Sequence, residues 1–445
     1  MFSNGPTCFW RFAAALFLFG AAGAAGADEA PSARSSSERS VFCTFKDPAG
    51  GGVVEYRIDK ASGRIVDESI IAQDRAFFRP HKIALTEDGR YLLATSQHAA
   101  LKNLLLADLA SGESRFLSVD RKPDDLDAWS DRFVIGADSH MCYIVDAGAG
   151  KVAHSWFGRH QTSPAGRRIE YVRTTPDGTA WTSWQKDSPG GRLKGSRVVA
   201  IDAATGKTLA DLRMPRSMDH LNLADRKERG PNPEIILPSP RTNTLLLSMD
   251  LYGGVAMADL DAAREGRWQS LSYHSVAPDS TWGGAFPDRA VLVESGGKDF
   301  ALVANAGAAG GVSWIDLAER RILQRIEAPP GIAAPVAVAG GRLIAGPIPG
   351  KAKRRSFGEL RETRLPRAEL AVFEVSGPAS APRLALRTVA LPTPASAIAA
   401  IDPGSKDLVF LVAGDEVLVA KASSGEIIDR RPLNGGRQIQ RIASR

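Results

Sequence analysis

Residues 198–212 read VVAIDAATGKTLADL, two apolar runs joined by a turn that contains Asp202, Gly206 and Lys207. Valine and isoleucine favour the pleated, half-buried surface of a β-strand. Aspartate accepts a hydrogen bond from the backbone two residues later, and glycine adopts the left-handed conformation that closes a tight turn. The stretch therefore predicts a β-hairpin.

Close variants of this hairpin recur along the 445-residue chain. The copies begin at Tyr56, Leu104, Cys142, Val198, Val255, Val312, Leu370 and Val417. The position of Asp202 is held in successive copies by Asp59, Asp108, Asp146, Asp202, Asp259, Asp316, Glu374 and Lys421, which lie 38 to 58 residues apart. Eight copies in one register indicate a repeat architecture.

A second hairpin precedes several copies, with turns at Asp88-Gly89, at Asp177-Gly178 and around Asn243. Each unit thus contains four short antiparallel strands, and no segment has a helical period. This pattern is typical of an all-β fold, a single β-propeller of four-stranded antiparallel blades. The eight hairpins favour eight blades; seven blades with an irregular terminal unit is the alternative.

The first copy contains only three candidate strands, at residues 41–45, 53–58 and 64–71. The C-terminal tail, residues 437–444 (RQIQRIAS), would supply its missing innermost strand. Pairing the two ends of the chain would close the ring and remove exposed strand edges.

Residues 83–119, IALTEDGRYLLATSQHAALKNLLLADLASGESRFLSV, resemble a repeat of the YVTN family of exported bacterial and archaeal propellers. The resemblance is good in repeats 2 and 4, moderate in repeats 3, 5 and 6, and weak in the last two. It implies a propeller of the amine-dehydrogenase-like superfamily. It implies no catalytic residue, because the motif is structural.

The N-terminus has the pattern of an export signal: Arg11, an apolar core at residues 12–19 and small residues at 21–27. We expect a signal peptide over residues 1–27, a flexible lead-in over 28–40 and the propeller over 41–445. An uncleaved anchor is the alternative. The mature protein would be periplasmic or secreted, without a transmembrane span. It would keep Cys43 and Cys142, which lie in different repeats and are expected as separate buried thiols rather than a disulfide, although export would permit one.

The formal net charge of +6 is mild for this length, and charges of both signs alternate, so a nucleic-acid partner is not expected. The exception is an insertion at residues 346–369, which contains Lys353, Arg354 and Arg355. It is either a solvated loop or a patch for an acidic partner.

Loops on a rigid scaffold are where binding residues gather. In a blade with strands a to d from the axis outward, the longer b–c and d–a loops surround one mouth of the channel. Six of the seven histidines are assigned to that face: His81, His98, His140, His160, His220 and His274. The candidate binding residues at the channel mouth are Arg79, His81, His98, His140, Trp184, His220, Asp250 and Asn305, the ingredients of a small-ligand pocket. No histidine spacing indicates a metal site, and the cofactor is left open.

Two classes of function remain. The first is a monomeric platform in the cell envelope that binds a small molecule or an envelope protein. The alternative is an enzyme: a lactone hydrolase, or an amine-dehydrogenase-like heavy subunit whose cofactor belongs to a partner. In a hydrolase, His81, His140 or His220 would act as the general base, and Arg79 or Asn305 would polarise a carbonyl.

Overall fold

The computed structural model describes residues 37–98, 102–138, 141–157, 169–184, 196–215, 233–249, 253–276, 287–305, 310–329, 332, 335–348, 351–352, 362–363, 367–378, 382–402 and 406–444. These residues form eight four-stranded antiparallel sheets and a two-stranded ribbon. The innermost strands of consecutive sheets contact one another, and the last contacts the first. The protein is therefore an eight-bladed β-propeller, which confirms the predicted fold and excludes seven blades.

The first four blades each have four strands, named from the innermost to the outermost. Blade 1 contains β34 (Gln438–Ser444), β1 (Glu38–Asp47), β2 (Gly50–Asp59) and β3 (Ile65–Asp74). Blade 2 contains β4 (Pro80–Leu85), β5 (Tyr91–Ser96), β6 (Leu104–Asp108) and β7 (Ser114–Leu117). Blade 3 contains β8 (Pro123–Trp129), β9 (Arg132–Ala137), β10 (Met141–Asp146) and β11 (Lys151–Phe157). Blade 4 contains β12 (Ile169–Thr174), β13 (Thr179–Trp184), β14 (Arg197–Asp202) and β15 (Thr208–Arg213).

The other four blades follow the same order. Blade 5 contains β16 (Pro233–Ser239), β17 (Thr244–Met249), β18 (Gly254–Asp259) and β19 (Ser272–Ser275). Blade 6 contains β20 (Pro287–Ser295), β21 (Lys298–Asn305), β22 (Val312–Asp316) and β23 (Arg321–Ile326). Blade 7 contains β24 (Val336–Val338), β25 (Leu343–Pro347), β28 (Glu369–Ser376) and β29 (Arg383–Ala390). Blade 8 contains β30 (Ala395–Ala400), β31 (Leu408–Ala413), β32 (Glu416–Lys421) and β33 (Ile427–Pro432).

The repeated aspartate closes the turn between the two outer strands of a blade. The Asp202 carboxylate accepts hydrogen bonds from the backbone N–H groups of Ala204 at 2.8 Å and Thr205 at 3.0 Å, and Gly206 has φ +71°. The same bond, from a backbone N–H two or three residues later, is made by Asp59, Asp108, Asp146, Asp259 and Asp316. The recurring sequence pattern therefore reports a recurring local hydrogen bond.

Blade 5 departs from the expected plain turn, because α1 (Leu260–Arg264) stands between its outer strands. Asp259 caps this helix by accepting a hydrogen bond from the backbone N–H of Ala262 at 2.8 Å. Alanines, good helix formers, follow the cap, so a helical turn replaces the glycine turn. Short 3-10 turns occur at Pro240–Thr242 and Asn434–Gly436. Within the described part of the chain, no helix is long and apolar enough to cross a membrane.

The two ends of the chain close the ring, as the sequence predicted. Strand β34 pairs with β1, so that Ile442 lies opposite Cys43. Arg437, just before β34, pairs with Glu68 on β3, and its guanidinium lies 4.8 Å from the centre of the Phe45 ring. The first blade is thus completed by the last strand, and closure depends on contacts between residues far apart in the sequence.

The core lies between neighbouring blades, where their apolar faces meet. Between blades 1 and 8, for example, the rings of Tyr56 and Phe410 pack with their centres 5.3 Å apart. Cys43 and Cys142 are buried free thiols in separate parts of this core, which confirms the expectation of two unpaired cysteines.

The insertion at residues 346–369 lies between β25 and β28, the second and third strands of blade 7. Its β26 (Lys351–Ala352) and β27 (Glu362–Thr363) pair as the two-stranded ribbon. Lys353, Arg354 and Arg355 lie outside the described residues. The described ribbon connects the second and third strands of blade 7, which is the position of a b–c loop.

Candidate functional site

The inner strands begin at the face with the longer loops, and a β-bulge follows the first residue in six of them. The register of pairing shifts after Pro80, Pro123, Ile169, Pro233, Pro287 and Ala395. The residues that come directly after these positions are His81, Asp124, Glu170, Glu234, Asp288 and Ser396. Because a bulge bends the strand and redirects side chains, this rim is a natural place for a site.

Near the start of the inner strands, a buried carboxylate lies between two cations. Asp125 on β8 lies 2.9 Å from Lys82 Nζ of blade 2 and 3.1 Å from Arg173 Nη1 of blade 4. Burial pushes its pKa upward, but Lys82 and Arg173 hold the pKa of Asp125 below its ordinary value. The three side chains join blades 2, 3 and 4, and the single carboxylate offsets one of the two positive charges.

Two aspartates of β8 also bond the backbone of the next inner strand. Asp125 accepts a hydrogen bond from the backbone N–H of Val172 at 2.9 Å, and Asp127 accepts one from that of Thr174 at 2.7 Å. Thr174 Oγ1 donates a further bond to Asp127 at 3.0 Å. Burial raises the pKa of Asp127. Side chains thus provide the hydrogen bonds that a neighbouring strand would provide inside a sheet.

His81 lies beside this cluster, at the start of β4. Its Nε2 atom is 3.8 Å from Asp124 Oδ1, and Asp124 accepts a hydrogen bond from Gln97 Nε2 at 2.8 Å. Burial, with the positive charges of Lys82 and Arg441, lowers the pKa of His81 to about 4. The imidazole is therefore neutral at neutral pH.

Arg441 on β34 faces the same channel. Its charge interacts with Arg289 of blade 6, Tyr171 of blade 4 and Asp125 of blade 3, so side chains from several sides of the ring converge. Burial and the like charge of Arg289 lower the pKa of Arg441. Arg441 nevertheless keeps a large part of its surface accessible to solvent. Arg441 therefore lines a space that water reaches and the protein encloses.

The guanidinium of Arg441 has no carboxylate within 4.0 Å among the described residues. Its Nη1 group donates to the carbonyl of Gln440 at 2.8 Å, and its other donors have no hydrogen-bond partner in the described part of the chain. The centre of the Tyr171 ring lies 4.8 Å from the guanidinium carbon of Arg173 and 5.7 Å from Lys82 Nζ. Burial raises the pKa of Tyr171 to about 12. The arrangement offers a cation and a neutral phenol to an anion.

Solved structures of other proteins resemble most of this chain. The dihydro-heme d1 dehydrogenase NirN in complex with DHE is 14% identical with a TM-score of 0.61, over 89% of this chain and 74% of that one. The C-terminal WD40 domain of Sif2 is 11% identical with a TM-score of 0.52, over 84% and 90%. BamB from Moraxella catarrhalis is 11% identical with a TM-score of 0.51, over 84% and 89%. These likenesses show the propeller fold alone. No family model matches the chain, and no curated protein matches it.

Three candidates predicted from the sequence lie on blade 2 of the propeller. His81 joins the channel cluster. Arg79 is exposed, and its backbone N–H donates to Ser96 Oγ at 3.1 Å. His98 is buried and stacks on exposed Phe78 with ring centres 4.5 Å apart, and neither of its ring nitrogens is within hydrogen-bond distance of a partner among the residues that the structure describes. Burial lowers the pKa of His98, against the opposing effect of the Ala76 carbonyl.

Two further candidates have structural contacts. Trp184 is buried between blades 3 and 4, and its Nε1 group donates to Thr182 Oγ1 at 2.9 Å. Asn305 is buried, and its Nδ2 group donates to the carbonyl of Val276 at 2.9 Å, which ties blade 6 to blade 5. These contacts hold both side chains within the propeller, and the buried Oδ1 atom of Asn305 has no hydrogen-bond partner among the described residues.

His140, His220 and Asp250 lie outside the described residues, as does His160. His274 was assigned to a d–a connection, and that assignment is wrong: it lies in β19, the outermost strand of blade 5, opposite Val255. Among the described residues, no three His, Cys, Asp or Glu side chains are grouped as metal ligands.

The sequence reasoning missed Lys82, Asp125, Tyr171, Arg173 and Arg441, because it looked for binding residues in loops. A usable signal was present. Inner strands of four blades begin with a proline followed at once by ionisable residues, as in Pro80-His81-Lys82, Pro123-Asp124-Asp125, Pro233-Glu234 and Pro287-Asp288-Arg289. Charges at the start of otherwise apolar strands are costly unless they are paired or used.

Proposed function

We propose that this protein is a ligand-binding platform that takes a small anionic molecule at the channel mouth bearing the b–c and d–a loops. Arg441 is the observation that carries the proposal: it is enclosed, reached by solvent and without a carboxylate partner among the described residues. Lys82 and Arg173 differ from it, because both form an ion pair with Asp125.

The chemistry of the site favours a carboxylate or a phosphate. A guanidinium with free amino groups forms parallel hydrogen bonds with the two oxygens of such an anion. The surrounding protein strengthens this attraction relative to water. Tyr171 and Arg289 lie near enough for their charges to interact with Arg441, so a bound anion would meet them too. The ion-paired cluster of Lys82, Asp125 and Arg173 would form one wall of the site, and its remaining positive charge would also attract the anion.

The proposal also includes loop residues that the sequence analysis selected as binding candidates. Arg79, His140, His220 and Asp250 are proposed to contact the ligand where it emerges from the channel, and the basic insertion is proposed to attract anions to the same face. An envelope protein that presents an acidic group is the alternative occupant. The proposed periplasmic or secreted location rests on the N-terminal signal pattern, and kinship with the YVTN family rests on the repeat motif.

The enzyme alternative receives less support. A general base works best when its pKa lies near the operating pH, and that of His81 is about 4. His81 would therefore be a weak base for lactone hydrolysis at neutral pH. The dehydrogenase activity in the name of NirN belongs to that protein, and a shared fold does not transfer it.

The test is a ligand panel on the mature chain, in which carboxylates and phosphates of increasing charge are paired with their neutral esters. We expect an anion that raises the thermal midpoint of unfolding, since a ligand at 100 times its dissociation constant adds about 2.7 kcal/mol. Arg441→Gln should abolish this increase. Arg383→Gln, which removes an exposed arginine on β29, should preserve it. Stabilisation that persists in Arg441→Gln, or that neutral esters reproduce, would contradict the proposal.

A further inference from the structure

A second concave feature lies on the opposite face, where the short turns of blades 7, 8 and 1 meet. It is a groove of about 570 Å³. Its walls come from the turn after β24, the turn before β31 and the turn between β2 and β3. The volume lies within the range of small-molecule pockets. The groove is distinct from the channel mouth because it lies at the other end of the strands.

The floor of the groove is apolar. Leu343, Leu408 and Ile428 line it, together with Ala61 and Ala339. Each of the three large side chains comes from a different strand, and Leu408 is the first residue of β31. A ligand that covers this floor would gain from removing apolar surface from water.

The rim of the groove is basic. Arg342, Lys406 and Lys421 line it, with Asp407 as the one acidic residue of the lining. Lys421 is paired with Glu426 at 2.7 Å, and Asp407 accepts a hydrogen bond from the backbone N–H of Ser423 at 3.1 Å. Two of the cations, Arg342 and Lys406, therefore remain for a ligand.

These two cations bond only to backbone carbonyls in the described structure. Lys406 Nζ donates to the carbonyls of Lys60 at 2.5 Å and Ala61 at 3.2 Å, and it keeps one donor unused. Arg342 Nε donates to the carbonyl of Ala339 at 3.0 Å, so both terminal amino groups stay available. The backbone N–H of Ala339 donates to the carbonyl of Lys406 at 3.3 Å, which joins the two turns and holds the cations near each other.

We propose that this groove binds a small organic carboxylate with an apolar body. The apolar part would cover Leu343, Leu408 and Ile428, and the carboxylate would form hydrogen bonds with Arg342 and Lys406. The charge complementarity excludes a basic ligand, and the apolar floor offers nothing to inorganic phosphate. This site is independent of the one proposed at the channel mouth.

The experiment uses the mature chain with 4-phenylbutyrate as probe, followed by saturation-transfer NMR and calorimetric titration. We expect the phenyl ring to receive saturation and the anion to bind measurably. Arg342→Gln should weaken binding roughly tenfold, the effect of losing a charge-assisted hydrogen bond pair. Lys406→Met should weaken it as well. Because Arg342 is exposed, its substitution should leave the fold intact.

Controls separate this site from the channel and from simple charge attraction. Arg383→Gln and Arg441→Gln should bind 4-phenylbutyrate like the unchanged protein, and 4-phenylbutanol and inorganic phosphate should not compete with it. Absence of binding at millimolar probe would overturn the proposal. So would binding that Arg342→Gln leaves unchanged, or equal binding of 4-phenylbutanol. Loss of binding in Arg441→Gln alone would assign the probe to the channel and also overturn it.

Discussion

Asp125 joins blade 3 to blade 4 by accepting a hydrogen bond at 2.9 Å from the backbone N–H of Val172. Asp127, two residues later on the same strand, accepts one from Thr174. Inner strands of neighbouring blades belong to different sheets, so these backbone groups have no strand partner on that side. Because a buried N–H group without a partner is costly, the carboxylates take the place of a ladder. The wall of the channel is therefore also a joint between blades.

Asp125→Asn should destabilise the protein strongly. The amide can still accept a hydrogen bond from Val172, but it leaves Lys82 and Arg173 without their counter-charge. Loss of one partner from a buried ion pair costs about 3 kcal/mol. Urea unfolding followed by circular dichroism measures the change. Asp127→Asn is the matched control and should cost less, because no cation lies in an ion pair with that residue among the described contacts. Equal effects would show that the backbone bonds, not the charges, hold the joint.

Stability should decrease as the pH falls from 6.5 to about 4, with a contribution from His81. The folded-state pKa of His81 is about 4, below the ordinary value of 6.5, so in this range the unfolded chain binds the extra proton. The free energy of unfolding therefore decreases as the pH is lowered, and His81 contributes up to about 3 kcal/mol of this decrease. Urea unfolding between pH 4.5 and 6.5 should have a shallower pH slope in His81→Gln. An unchanged slope would show that His81 titrates alike in both states. The pKa of His98 is also lowered, so the double variant should flatten the slope further.

Two turn glycines should respond differently to alanine. Gly112 has φ +77° and open space where a Cβ would stand, so Gly112→Ala should cost only the backbone strain, about 1 kcal/mol. Gly425 has φ +73°, and its Cβ would lie 2.4 Å from the carbonyl oxygen of Ala390. Gly425→Ala should therefore cost clearly more, because backbone of blade 7 must move. The midpoints of thermal unfolding compare the two variants; a larger loss for Gly112→Ala would contradict the packing described at Gly425.

The two thiols of the propeller should be unreactive in the folded protein. The thiolate is the reactive species, and burial raises the pKa of Cys142 to about 12 and also raises that of Cys43. Iodoacetamide at neutral pH should label neither residue in native buffer and both in urea. Peptide mass spectrometry identifies the labelled sites. Rapid labelling of either cysteine without denaturant would show that its blade opens locally.

Much of the fold was predictable because its signals are local. The turn aspartates, such as Asp202, bond backbone groups two or three residues away, so the same letters recur wherever the hairpin recurs. The position of the tail beginning at Arg437 was also predictable. The first unit lacked one strand, and the tail supplied a strand that the last unit did not need. The misplaced His274 shows the limit. Strand β19 begins only after a helical turn, so the outer strand lies later in the sequence than a plain hairpin would place it.

The channel cluster was much less predictable. Lys82, Asp125, Arg173 and Arg441 lie on inner strands of four blades, two near the start of a strand and two further along it. Their contacts exist because the ring brings these inner strands together. Sequence reasoning favoured loop-proximal residues such as Trp184 and Asn305, whose described partners lie in the core and in a neighbouring blade.

The amino-acid sequence by itself determined the repeated hairpin, its number of copies and the joining of the chain ends, since turn hydrogen bonds and strand propensity act over a few residues. Only the tertiary structure decided which charges of the described residues are paired and which stand free. Asp125 forms ion pairs with Lys82 and Arg173, whereas Arg441 has no carboxylate partner in the described part of the chain, because distances across the channel depend on closure of all eight blades. Burial, another property of the assembled ring, then sets the pKa of His81.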